Sequence, residues 1–403
     1  MADLKLRNDI GVRNPFALAE AKLGKEIDWK KTSPVEKKEL IAKALGASFG
    51  EIFDPRNTNP AFLHPVKSGS GDAGQCDAEK IKALVSGWGQ NPLGSTYNVP
   101  AGSYGAFNDP VQGALSDCFF VAALSSIAFA SNTKTRFFRD ISGSSVDLTF
   151  YDGFSTINGV TSPKTSRTVT VKNDHFPLGK SGNLVFARSN TPAEIWIAMY
   201  EKGYAEWKCG GTCDEPDYSK LCLGNPITAL ANITGYKYSS NSVFDTTAFA
   251  GNPNGIYNTL AKVCDAATKI APYDRKMTYP AVAYTYDSSD LPYSNPTIVR
   301  NHSYSVLGVH GSGNDRYIVM RNPWGQVPPV AVVDPNLLDA KRCLLDEAGN
   351  PVICYGDPNL GADVLSAKAW MDITNLADPN DGIFGLHVKA FQKYFQGFGW
   401  VFS

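Results

Sequence analysis

Three residues whose types combine into acyl-transfer chemistry occur in order along the chain. Cys118 opens the apolar run CFFVAALSSIAFA, His302 lies in NHSYSVLG, and Asn322 lies in RNPWG. A thiol in the first turn of a helix feels the positive end of the helix dipole and its unpaired N–H groups, and both favour thiolate. With an imidazolium close by, a reference thiol pKa of about 8.5 falls by several units, as a nucleophile requires. Singly, each residue has a plainer explanation. A Cys in an apolar helix is most often a small core residue, a lone His is more often structural than a base, and an Asn before Pro is more often a turn residue.

The elements that must position these groups are legible in part. The length and the Ala, Leu and Phe content of Cys118 to Ala130 predict a helix buried on most sides, with Ser116 and Asp117 before it as suitable N-cap types. VDLTFYDG, RTVTVKN and NLVFA read as strands between Gly- and Asn-rich turns. In TPAEIWIAMYEKGYAEW, Thr191 as N-cap, Pro192 at the first helical position and Glu194 completing a capping box predict a helix start. HSYSVLGVHG and RYIVMRNP, joined by SGND, are two β-rich runs that read as a β-hairpin. The closing GLHVKAFQKYFQGFGWVF reads as strand and turn.

Length and charge bound the rest. A chain of 403 residues exceeds one ordinary compact unit, so two or three sub-structures are expected. Lys and Arg number 38 against 39 Asp and Glu, which leaves no basic face for general nucleic-acid binding. No apolar run of membrane-spanning length occurs and the opening MADLKLRNDIGVRNP lacks a signal-peptide core, so a soluble monomer without membrane partners is expected. Of eight Cys, only Cys209, Cys213 and Cys222 lie close in sequence. A four-ligand zinc site would need a further Cys or His nearby, so structural thiols, free or disulfide-linked, are the better reading. Residues 1–75, with SPVEKKELIAKALGASFGEIF and the linker SGSGDAG, form a candidate helical extension.

The neighbourhoods of the three residues decide among these readings. QGALSDC, from Gln112 to Cys118, resembles the calpain signature QGALGDC at all but one position, and FFVAAL resembles the apolar helix that follows it. NHSYSVLG resembles the family's GHAYSV, and RNPWG is its asparagine block intact. Between and beyond them, NDHFPL, NLVFARSNTPAEIWIAMYEKGYAEW, GNPITALANITGY and DGIFGLHVKAFQKYF also resemble calpain blocks, so the likeness runs from about residue 106 onwards.

The resemblance implies an α+β papain-like cysteine protease fold. A Cys-bearing helical subdomain over 76–223 and a β-rich subdomain bearing His302 and Asn322 over 224–403 follow the extension, which would act as a pro-segment or regulatory arm. It implies a cysteine endopeptidase acting on protein or peptide substrates. Cys118 would be the nucleophile, His302 the base and then acid, Asn322 its orienting partner, and Gln112 an oxyanion donor. Trp324 would shield the His–Asn bond, and Ser116, where the family has Gly, would add a side chain beside the oxyanion region. Asn301 likewise replaces a Gly and would add bulk before the base. A ligase or transglutaminase-like acyl transferase would use the same residues, differing in which nucleophile reaches the thioester.

No cofactor is required for that chemistry. Asp109 matches one calcium-binding carboxylate of the family's first half, whereas WGQVPPVAVV lacks the acidic residues of its second. Weak calcium dependence or none is therefore expected.

Overall fold

The computed structural model describes residues 76, 78–91, 109–130, 144–179, 182, 184–189, 194–211, 213–265, 275–286, 301–312, 315–325, 343–345, 351–354, 364–365 and 383–403. The predicted N-terminal helix, the linker SGSGDAG and most of WGQVPPVAVV lie outside them. Two hydrophobic cores organise the described residues.

The first core gathers helices α1 (Ala78–Leu84), α2 (Cys118–Phe129), α3 (Trp196–Lys208) and α4 (Pro226–Thr234) against an antiparallel ribbon of β1 (Ser145–Asp152) and β2 (Thr165–Lys172). Residues from Phe119 to Phe129 in α2 are all buried, as an apolar run without a polar stripe requires. Gly203 in α3 permits close approach, since a Cβ there would lie 2.8 Å from Val171 and 2.9 Å from Leu148. Asn225 caps α4 by accepting from the N–H groups of Ile227 and Thr228, Pro226 follows at the first helical position, and Gly235 ends the helix at φ +70°.

The second core lies behind an eight-stranded sheet. Its central path runs β3 (Val243–Asp245), β8 (Phe395–Trp400), β4 (Arg275–Thr285), β5 (Ser303–Ser312), β6 (Asp315–Arg321) and β7 (Ile383–His387), each antiparallel to its neighbour. Helices α5 (Asn254–Ala261) and α6 (Val388–Tyr394) cover one face. Side chains alternate across this sheet as a two-residue period demands. Ala281, Ala283, Tyr304 and Val306 enter the second core, whereas Val282 enters the first, and Ser305 donates to Ala122 O of α2 at 2.7 Å. α2 therefore lies on the opposite face of the sheet from α5 and α6.

Three sequence expectations change. α3 begins at Trp196 with Ile195 in the cap position and no side-chain cap, so Glu194 completes no capping box; its carboxylate accepts from Ser189 Oγ at 3.1 Å. Thr191 and Pro192 lie outside the described residues. Of NLVFA, Leu184 makes an isolated bridge to Leu178, and the ladder begins only at Arg188. The closing segment contains a helix between two strands, because Val388, Phe391, Tyr394 and Phe395 recur at helical spacing against the second core. Among the described residues, no helix is long and apolar enough to cross a membrane.

Candidate active site

His302 and Asn322 are twenty residues apart in sequence and meet because the hairpin returns. His302 immediately precedes β5, Asn322 immediately follows β6, and Ser305 pairs with Arg321, so both lie at the open end of the hairpin. Nε2 of His302 lies 2.9 Å from Oδ1 of Asn322. The same Oδ1 accepts from the backbone N–H of Trp324 at 3.0 Å, which fixes it as the oxygen of the amide. Nε2 must therefore carry the proton, and in the neutral ring Nδ1 presents a lone pair.

The match between helix rise and strand rise brings Cys118 to this end. The Cys118 thiol meets Ser303, and one turn later Ala122 O meets Ser305. Four helical residues advance about 6 Å and two strand residues advance about 6.6 Å, so α2 and β5 stay in step. The backbone N–H and hydroxyl of Ser303 and the N–H of Phe119 all point at the sulfur and favour thiolate.

Burial opposes them. It pushes the Cys118 thiol up to about 12, with the neighbouring Asp117 charge adding to the rise, and it pushes the His302 imidazole down to about 4 against the support of Asn322. Neither group charges readily alone in this setting. A thiolate–imidazolium pair would form only if both charged together, each as the other's counter-ion.

Gln112 is buried, donates from Nε2 to Leu115 O at 2.7 Å, and its N–H donates to Pro323 O at 2.9 Å. The loop carrying Gln112 thus touches the segment carrying Asn322. Gly113 is required where it stands, since a Cβ there would lie 2.3 Å from the Phe186 backbone. Ser116 is half-buried and its carbonyl accepts from Leu223 N–H at 3.2 Å, which ties it to the loop ahead of α4. The Trp324 ring is buried with its centroid 4.9 Å from that of His302.

The model of the calpain family cysteine protease matches residues 104–328, more than half of the chain, and the matched span contains Gln112, Cys118, His302 and Asn322. This chain belongs to that family. A thiol protease of Porphyromonas gingivalis is 28% identical over 231 residues, covering 57% of this chain and 46% of that protein. The calpain-1 catalytic subunit of Bos taurus is 27% identical over 224 residues, covering 54% of this chain and 27% of that protein, and human calpain-9 is 27% identical over 225 residues, covering 54% and 28%. The chain thus spans less than half the length of these curated relatives. The likeness read at 381–395 lies beyond the matched span.

Within this calpain core, Asn301 adopts φ +47°, the left-handed conformation that Gly takes freely and Asn tolerates better than most residues. That explains why Asn can stand where the signature has Gly. Sequence reasoning missed the partner of Asp109. Its buried carboxyl hydrogen-bonds that of Glu194, which burial and then the Asp109 charge push up to about 8. The signal was the failed capping box, which left the Glu194 carboxylate for another task.

The three close Cys do not cluster. Cys222 contacts Cys76 instead, while Cys209 and Cys213 are exposed. No group of three or more metal-ligating side chains occurs among the described residues.

Proposed function

We propose that the chain is a cysteine endopeptidase core in which Cys118 attacks the carbonyl carbon of a peptide bond while His302 Nδ1 takes the thiol proton. The oxyanion would be met by the Cys118 backbone N–H and the second hydrogen of the Gln112 Nε2 amide, whose first hydrogen is engaged by Leu115 O. His302 then returns its proton to the departing amine, leaving a thioester. Water activated by the same imidazole attacks the thioester and regenerates the thiol. Asn322 is neutral, so it orients the ring without altering the charge of the ion pair, and Trp324 keeps water from the His302–Asn322 bond. The observation that carries this reading is the fixed amide of Asn322, which leaves His302 with Nδ1 as its basic nitrogen.

A second observation supports a cleft assembled without outside help. Buried bonds join the Cys-bearing and His-bearing elements: Arg321 donates to Ser125 Oγ at 2.8 Å and to Pro110 O at 2.7 Å, and Ser126 Oγ donates to Ala281 O at 2.8 Å.

Asp109 and Glu194, with the Ser189 hydroxyl, suit a calcium ion as hard oxygen donors, because two carboxyls pressed together must otherwise share a proton. Bound there, calcium would supply charge neutralisation and no chemistry. We therefore infer that it tunes stability and that activity does not strictly require it.

The test is casein hydrolysis by wild type and Cys118→Ala, together with labelling by an epoxide inhibitor of cysteine proteases. The expected result is a label on Cys118 and hydrolysis lost in the variant. Equal hydrolysis by both proteins would overturn the reading.

A further inference from the structure

The pairing at the base departs from a regular antiparallel ladder. β4 and β5 run in register from Ala281 against Val306 to Tyr284 against Ser303, which puts Thr285 opposite His302. In a hydrogen-bonded pair of this kind each N–H donates to the other residue's carbonyl. Half of that exchange is present, with the Thr285 N–H donating to His302 O at 3.0 Å. The His302 N–H instead donates to the side chain of Thr285, at 3.0 Å to Oγ1, and the same hydroxyl donates to His302 O at 3.2 Å.

A register shift on the other side of β4 accompanies this exchange. Against β8 the shift falls between Tyr284 and Thr285, where Thr285 comes opposite Phe395, and irregularities of this type bend a strand and re-aim its groups. One residue on, the Asn301 N–H donates to Tyr286 O at 2.9 Å, with Asn301 in the left-handed conformation already described. Thr285 and His302 are both buried, so a His302 N–H deprived of the hydroxyl would go without an acceptor.

His302 is therefore held at two points. Its ring lies against Asn322, with Nε2 2.9 Å from Oδ1, and its main chain is clasped by one hydroxyl that accepts from its N–H and donates to its carbonyl. Thr suits the second task better than Ser, because branching at Cβ restricts χ1 and keeps Oγ1 aimed across the pair. We propose that Thr285 is a positioning residue for the base: its hydroxyl replaces a ladder carbonyl at the irregularity and fixes the His302 main chain, so that the ring held by Asn322 keeps Nδ1 towards the Cys118 thiol. The inference rests on His302 being the base of the endopeptidase reading.

The test measures kcat and KM on a peptide substrate, with active sites counted by the epoxide label and Tm followed in parallel. Thr285→Val removes the hydroxyl at nearly constant volume. Its kcat should fall by about tenfold to a hundredfold, as expected when a reacting group is misplaced by up to about 1 Å, with KM little changed. Thr285→Ala, which places no methyl against the His302 N–H, should lose a similar factor and serves if the Val variant does not fold. Thr285→Ser keeps the hydroxyl and should recover most of the rate.

Thr234→Val is the control for stability alone. Thr234 is buried at the end of α4, where its hydroxyl likewise donates to a carbonyl, Leu230 O at 2.7 Å, and accepts an N–H, that of Tyr236 at 3.1 Å. Its Tm should fall while kcat stays at the wild-type value. Wild-type kcat in Thr285→Val or Thr285→Ala, or an equal fall of kcat in Thr234→Val, would overturn the proposal. Wild-type hydrolysis by His302→Ala would instead overturn the base assignment on which the proposal rests.

Discussion

At the scale of single residues, the proposed nucleophile Cys118 would have to charge together with the proposed base His302. Burial, with the Asp117 charge adding to it, pushes the Cys118 thiol up to about 12, so removing the imidazole should leave an inert thiol. His302→Ala is expected to slow alkylation of Cys118 at pH 7 by at least about a hundredfold, because each pKa unit is tenfold in thiolate. An unchanged rate would show that the thiolate is stabilised by Ser303 and Phe119 alone. Gln112→Ala removes a donor aimed at developing charge, and kcat for a peptide substrate should fall by about 10²–10³ with KM little changed. A change confined to KM would place Gln112 in substrate binding instead.

At the scale of elements, α2 carries the candidate site and is tied to the sheet by buried bonds at Ala122, Ser125 and Ser126. Arg321, at the end of β6, grips it through Ser125 and reaches Pro110 beside the Gln112 loop. Arg321→Met keeps much of the volume but leaves a buried hydroxyl and carbonyl without their charged donor. A loss of about 2–4 kcal/mol in urea unfolding is expected. Gly113→Ala drives a methyl into the Phe186 backbone, where no flexible side chain can yield. Loss of about 1–3 kcal/mol or more should accompany displacement of the Gln112 loop. Wild-type stability in either variant would mean that the contact relaxes without cost.

At the scale of the whole molecule, buried acids give stability a direction in pH. Glu194 is pushed up to about 8 by burial and Asp109, Asp117 to about 7 by burial, and Glu206 to about 7 by burial despite Lys202. A carboxyl whose folded pKa exceeds its unfolded value near 4 contributes stability that is complete below that value and lost as pH rises through the folded pKa. His302, pushed down to about 4, acts oppositely, with stability present above its unfolded value near 6.5 and lost as pH falls. Because these acids outweigh His302 over this range, Tm should fall between pH 5.5 and 8.5. Calcium held by Asp109 and Glu194 would remove one of those losses. Millimolar calcium is therefore expected to raise Tm more at pH 8.5 than at pH 5.5, and Asp109→Asn should abolish the difference. Identical melting with and without calcium at pH 8.5 would exclude the site.

By itself the sequence determined the family, the buried helix behind Cys118 and the hairpin that joins His302 to Asn322. Those features are local: a continuous apolar run, a two-residue alternation and a turn are written in neighbouring residues. Tertiary structure alone decided where polar side chains point. Asp117 and Glu194 both carry good capping chemistry, yet Asp117 makes no cap bond and Glu194 turns to the Asp109 carboxyl, because burial against a distant element offers a partner that short-range patterns cannot contain. The helix Val388–Tyr394 was hidden for the same reason, its aromatic spacing gaining meaning only against the second core. The register of α2 on β5, which sets Cys118 against Ser303, arises from the matched rise of a helical turn and a strand repeat across some 180 residues of intervening chain.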